Sequence, residues 1–173
     1  VNGSTKDDET LANLVWYQNT SEEELKRILT DTDGVQHKYS LGVGKIQPEI
    51  KACQRVIATE VLPPCFSEIF QKIEQPFIQA ITDSLVTKAA FMNGRVLLIG
   101  DAVAGLRPHT TAGTTQAALH ALLLGKVFGD REEMNLEEWE KTVLAWSTFV
   151  HGEGIKLGNL SQFGDHPMAE NEA

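Results

Sequence analysis

The chain has 173 residues, 42% of them hydrophobic and 23% charged, with 14 glycines. That is the composition of one folded domain of ordinary size and excludes a wholly disordered chain. Fifteen Lys and Arg against 24 Asp and Glu leave a net charge of −9, which argues against a broad phosphate-tracking surface and so against a nucleic-acid partner.

No apolar run approaches the roughly 20 residues needed to cross a bilayer, so no membrane partner is expected. Cys53 and Cys65 form no Cys-x-x-Cys pair and read as reduced, buried thiols of a cytoplasmic protein. Residues 1–10, VNGSTKDDET, read as a polar, flexible start without a signal pattern, and an opening on Val1 suggests a piece of a longer chain.

Residues 12–19, ANLVWYQN, read as a strand. Ser21 followed by three glutamates marks a helix start, a hydroxyl cap with acid in the first turn, and Leu25, Ile28 and Leu29 supply its apolar face. Asp33-Gly34 predicts a turn and residues 35–41 a second strand. Pro48 opens a helix to about Glu60, with Ile50, Cys53, Val56 and Ile57 at helical spacing. Pro63-Pro64 ends it, and a short helix follows over residues 67–72. Residues 77–86 partly alternate apolar and polar residues, as in a strand with one wet face.

From Asn93-Gly94 the texture changes. Residues 95–99, RVLLI, are a continuous apolar run ending in Gly100-Asp101, the pattern of a strand buried on both faces. A loop follows, then a helix capped by Thr114 or Thr115 and running to Phe128. It is apolar nearly all round and therefore expected to be buried. A last helix spans Leu136 to Val150, with Trp139, Val143, Trp146 and Val150 on one side, and residues 158–173 read as a loose tail.

Residues 95–121 carry the chemistry. In open α/β sheets ligands bind beyond the carboxyl ends of strands, where Asp101 stands. Its carboxylate can accept hydrogen bonds from sugar or polyol hydroxyls. Gly113 removes a side chain where a flat ligand approaches the backbone. The helix start beside it offers unpaired N–H groups and a positive dipole end. These residue types suit a hydroxylated, electron-accepting cofactor.

The run GDAVAGLRPHTTAGTTQAALHA resembles the second flavin-binding motif of the FAD-dependent aromatic hydroxylases, the group A flavoprotein monooxygenases. It is most similar to their dihydroxypyridine monooxygenase-like branch. The triplets that carry the likeness are Gly100-Asp101-Ala102, Arg107-Pro108-His109 and Ala112-Gly113-Thr114. LVWYQN, TDTDGVQHKYSLGVG, VLPPCF and QPFIQAI extend it over residues 14–128. His120 and Val103 depart from the family pattern, and the family's amino-terminal Gly-x-Gly-x-x-Gly turn is not found.

The resemblance implies an α/β (α+β) fragment: a substrate-binding sheet over residues 11–92, the second half of a Rossmann-like FAD-binding domain over 93–157, and carboxyl-terminal helices. FAD would be held by Gly100, Asp101, Pro108, Gly113 and Thr114, with Arg107 and His109 as candidate catalytic side chains. His37, Tyr39 and Gln79 are candidates for the substrate. NADH or NADPH, a small aromatic ring, the amino-terminal FAD-binding half and a second copy of the chain are the expected partners.

Plainer readings stand beside these. Asp101 can be a turn acid and His109 a loop histidine, while His120 on an apolar helix reads as a satisfied core residue. The five histidines show no metal-ligand spacing with the cysteines. As a whole, the chain can also be read as a non-enzymatic remnant, or as part of a flavoprotein oxidoreductase without ring hydroxylation.

Overall fold

A computed structural model describes residue 6 and residues 13–129 and 133–164. Two compact units divide the chain, Val1–Ala80 and Ile81–Ala173, whereas the boundary expected from the sequence falls between residues 92 and 93. The described residues form five α-helices and three two-stranded antiparallel ribbons.

In the first unit, the Ser21 hydroxyl accepts from the Glu24 N–H at 3.2 Å and opens α1 (Glu22–Ile28). Acid in its first turn and Lys26 and Arg27 in its last complement the helix dipole. The strand expected over residues 12–19 is not formed by the described residues 13–19. Trp16 instead packs edge-on against Phe70, with ring centroids 5.3 Å apart.

The turn at Asp33-Gly34 forms, with Gly34 at φ +77°, but the strand expected over residues 35–41 shrinks to β1 (Ser40–Leu41). A buried carboxylate organises the loop instead of a ladder: Asp31 accepts from the Asp33 and Val35 N–H groups and pairs with His37 Nε2 at 2.8 Å. These bonds, the His37 contact foremost, hold its carboxyl at about 2.

Pro48 occupies the first turn of α2 (Pro48–Val61), and Pro64 that of α3 (Pro64–Lys72), which therefore starts before the expected Ser67. Only Ile50 and Ala58 of α2 are buried. Cys53 and Cys65 are exposed thiols rather than the buried ones expected.

The strand expected over residues 77–86 is broken in two where the chain passes between units. β2 (Ile78–Gln79) pairs with β1, and β3 (Ser84–Leu85) pairs with β6 (Ala104–Gly105).

In the second unit, β4 (Ala90–Phe91) and β5 (Val96–Leu97) form the third ribbon. Their turn holds Met92, Asn93 and Gly94 at positive φ, and a Cβ on Gly94 would collide with Leu136 Cδ2 at 2.6 Å. The buried strand expected over residues 95–99 is only partly covered. Leu97 and Leu98 pack on the core, while Val96 and Ile99 are 43% and 41% exposed. Its partner is the antiparallel β4.

The core of this unit gathers Ala89, Val103, Leu123, Trp139 and Val143 between α4 (Gly113–Phe128) and α5 (Leu136–Phe163). Asn135 and Glu138 close a reciprocal capping box at the start of α5. Glu140 accepts from the Ala89 and Ala90 N–H groups at 2.7 and 2.8 Å, which ties α5 to β4.

Two expectations about these helices are corrected. α4 is not buried all round: Gln116, His120 and Leu123 face inward, but Leu122 and Phe128 are largely exposed. α5 does not stop at Val150 but continues to Phe163, so the tail expected from residue 158 is helical over its first six residues.

Of the flexible start expected over residues 1–10, only residue 6 is described, and the tail beyond Gly164 lies outside the described residues. Among the described residues no helix is long and apolar enough to cross a membrane.

Candidate functional site

The second unit carries an open groove of roughly 720 Å³ where the chain leaves β5, turns twice and enters α4. The first turn is the 3-10 segment Gly100–Ala102 and the second is Pro108–Thr110. Gly100, Asp101, Arg107, Pro108, Gly113 and Thr114 all contribute to its wall, with Ile99, Leu106, Ala112 and Ala117 as apolar surface. Six of the seven candidate flavin-site residues thus come together, although they are up to fourteen positions apart.

Gly100 is needed for its backbone. It sits at φ +56°, and a Cβ there would press on Ala117 Cβ at 3.1 Å. Its two peptide groups are anchored from α4: the Gly100 N–H donates to His120 Nδ1 at 3.0 Å, and Gln116 Nε2 donates to the Gly100 carbonyl at 3.1 Å and the Ala104 carbonyl at 2.9 Å.

Both side chains are fully buried. The Gly100 bond requires His120 Nδ1 to be unprotonated, leaving Nε2 to carry the proton toward Ser147 Oγ, 3.3 Å away. Burial lowers the pKa of this imidazole, which favours the same neutral form. His120 is therefore the satisfied core residue expected, and it also holds the groove's first turn. Gln116 was legible only as one polar position on the inner face of an apolar helix.

Asp101 is exposed at the groove. A Cβ on Gly113 would meet its Oδ1 at 3.5 Å, so the carboxylate and the start of α4 adjoin one another. Neither Thr114 nor Thr115 caps α4. Its cap is Ala112, which offers no side-chain acceptor, and the first helical bond runs from the Gln116 N–H to the Ala112 carbonyl. The N–H groups of Gly113, Thr114 and Thr115 therefore have no acceptor within the helix. The groove thus sets a carboxylate that can accept from hydroxyls beside amides and a dipole end suited to negative charge, with an apolar wall between.

The two candidate catalytic side chains are turned toward α5. The Arg107 guanidinium donates from Nε to Asp83 Oδ2 at 2.6 Å and from Nη1 to Asn159 Oδ1 at 3.0 Å. The His109 ring lies against α5, where a Cβ on Gly158 would come within 3.1 Å of its Cε1. His109 is not among the residues that line the groove.

The candidate substrate residues belong to the first unit. Tyr39 precedes β1 and Gln79 ends β2, where the Ala80 N–H donates to the Tyr39 carbonyl and Ser40 pairs with Gln79. Both are exposed, with Lys38 Nζ 4.8 Å from the centre of the Tyr39 ring. His37 is engaged with Asp31. Among the described residues no group of His, Cys, Asp and Glu stands together in a way that could hold a metal ion.

Comparison with known proteins first gives a class. Residues 1–83, just under half of the chain, match the family model described as FAD binding domain-like. It then gives a particular relative. The chain is 28% identical over 155 residues to 2,6-dihydroxypyridine 3-monooxygenase of Paenarthrobacter nicotinovorans, covering 88% of this chain and 38% of that protein.

The solved structure of 2,6-dihydroxypyridine-3-hydroxylase from Arthrobacter nicotinovorans superposes with a TM-score of 0.76 at 28% identity, over 86% of this chain and 38% of that one. Sequence and fold alike are thus similar to one part of a monooxygenase, and the chain spans well under half the length of these relatives.

Proposed function

We propose that this chain forms part of a FAD-dependent monooxygenase that hydroxylates an aromatic or N-heteroaromatic ring with NAD(P)H and oxygen. The observation that carries the reading is the convergence of Asp101, Pro108, Gly113 and Thr114 on one groove at the uncapped start of α4. These are the positions to which the resemblance to the flavin motif assigns the cofactor.

In this reading Asp101 accepts from the ribityl hydroxyls. Gly113 and Thr114 present main-chain N–H groups to the pyrimidine end of the flavin, where negative charge gathers on reduction. Pro108 lies beside the ring, and Leu106 and Ala112 help to exclude water. The bound flavin supplies the redox chemistry: reduction by NAD(P)H and transfer of one oxygen atom to the ring substrate. The second unit then contributes the carboxyl-terminal part of a Rossmann-like FAD-binding domain, and Tyr39, His37 and Gln79 of the first unit serve the substrate.

The test is to combine the chain with a complementary part corresponding to the portion of the relative that it does not span. The complex is then assayed for NAD(P)H oxidation stimulated by hydroxylated pyridines and for incorporation of labelled oxygen into the ring. Stimulated oxidation with incorporation supports the proposal. Flavin reduction without oxygen insertion for any ring substrate favours an oxidoreductase of other chemistry.

A further inference from the structure

The second unit holds a polar cluster around Arg107 whose other members, Asp83, His151 and Asn159, lie outside the flavin motif. β3 and β6 pair with Ser84 opposite Gly105, so the ribbon brings Asp83 to the position where the chain continues into Leu106 and Arg107. There the Asp83 carboxylate is shared: Oδ2 accepts from Arg107 Nε at 2.6 Å and Oδ1 lies 3.1 Å from His151 Nε2. Asn159 Oδ1 accepts from the other side of the same guanidinium. The side chains of Asp83 and Arg107 are each 23% exposed and that of His151 is 15% exposed, so the cluster is largely shielded from water.

Arg107 also caps the Pro108–Thr110 turn, whose own closure is a single bond from the Thr111 N–H to the Pro108 carbonyl, with Thr111 in the left-handed region. Such a turn needs support from outside. α5 provides a seat: Gly154 and Gly158 are buried, and their bare Cα positions admit Arg107, Thr110 and the His109 ring.

We propose that Asp83 is a positioning residue for the groove: with His151 and Asn159 it fixes the Arg107 guanidinium on α5, and through Arg107 it sets the place of the Pro108–Thr111 wall. This rests on the flavin reading of the groove, and it gives Arg107 a positioning role instead of a catalytic one. The guanidinium fork is already committed to two acceptors on the side of α5. A planar five-donor group held in this way locks geometry as well as charge.

The variants are Asp83→Asn, which keeps the volume and removes the charge, Asp83→Ala, and Asp83→Glu as conservative rescue. The first readout, made on the chain itself, is amide hydrogen exchange. Asp83→Asn is expected to speed exchange at Thr111, whose N–H closes the turn, about tenfold, the loss of one shielded charge-assisted bond. Exchange at Trp139 and its neighbours should stay unchanged, and Asp83→Glu should restore most of the protection.

The second readout is FAD affinity of the reconstituted complex, by quenching of flavin fluorescence. It is expected to weaken about tenfold in Asp83→Asn and Asp83→Ala and to recover in Asp83→Glu. Unchanged turn exchange in a folded Asp83→Asn chain overturns the proposal, as does uniform acceleration across the unit or a FAD affinity indifferent to all three variants. Failure of the wild-type complex to bind FAD overturns the flavin reading instead, and selective loosening of the turn then still decides whether Asp83 holds it.

Discussion

Replacing Gln116 with leucine tests whether the groove's first turn is held from α4. Gln116 is fully buried, and its amide donates to the Gly100 and Ala104 carbonyls at 3.1 and 2.9 Å, while its own Oε1 is buried without a hydrogen bond. Leucine keeps the approximate volume but removes the Gln116 donor from the Ala104 carbonyl, at a cost of about 1–3 kcal/mol, while the Gly100 carbonyl keeps the Val103 N–H at 2.9 Å. Removing the unsatisfied Oε1 offsets part of that loss. The net expectation is a destabilisation of about 1–2 kcal/mol.

Urea unfolding followed by tryptophan fluorescence in a Trp16→Phe background, which leaves the emission of Trp139 and Trp146 in the same unit, reads this. Groove loosening should appear with it, as faster amide exchange at Gly100 and Val103. A loss below about 0.5 kcal/mol, within the range of an ordinary surface substitution, would refute the claim that these bonds anchor the turn.

Two further outcomes follow from the second unit. Gly154→Ala places its methyl at 3.8 Å or more from Thr110 and Arg107, an ordinary contact, and gains helix propensity, so it should stabilise by up to about 1 kcal/mol. Gly158→Ala presses on a pinned Arg107 at 3.0–3.1 Å and on His109 at 3.1 Å, so its thermal midpoint should fall below wild type. Equal midpoints for the two variants would contradict the seat described on α5.

For pH, burial lowers the His120 pKa in the folded chain, so the unfolded state binds the proton first. Stability is fully present above the unfolded value of about 6.5 and declines as pH falls below it. Urea midpoints of the second unit should therefore drop between about pH 7 and 5, and His120→Gln should flatten that slope. Asp31, with its carboxyl at about 2, acts in a separate window. Its contribution to the first unit is present above about pH 4 and is lost as pH falls toward 2.

What the sequence could show depended on whether a signal was local. Caps and breakers are local chemistry, so Ser21, Pro48, Pro63-Pro64 and Asn93-Gly94 placed element ends close to where they fall. The groove was legible for the same reason, because Gly100, Asp101, Pro108, Gly113 and Thr114 lie within one short stretch.

Strands failed because a strand is defined by its partner. Residues 77–86 alternate as one strand should, yet they are divided between β1 and β6 in different units. Residues 95–99 look doubly buried, yet Val96 and Ile99 stay exposed. α5 runs past Val150 through Gly152, Gly154 and Gly158, residues of low helix propensity. Two of them are the small residues that admit Arg107, Thr110 and His109. Asp83, His151 and Asn159 gave no signal at all, since a cluster drawn from positions 83, 107, 151 and 159 has no spacing to recognise.

The most direct measurement is a crystal structure of the reconstituted complex grown with FAD. The account predicts the flavin in the groove, with Asp101 on its ribityl hydroxyls, Pro108 beside the ring, and the Gly113 and Thr114 amides at its pyrimidine end. A flavin bound elsewhere, with the groove at the start of α4 left open, would contradict it.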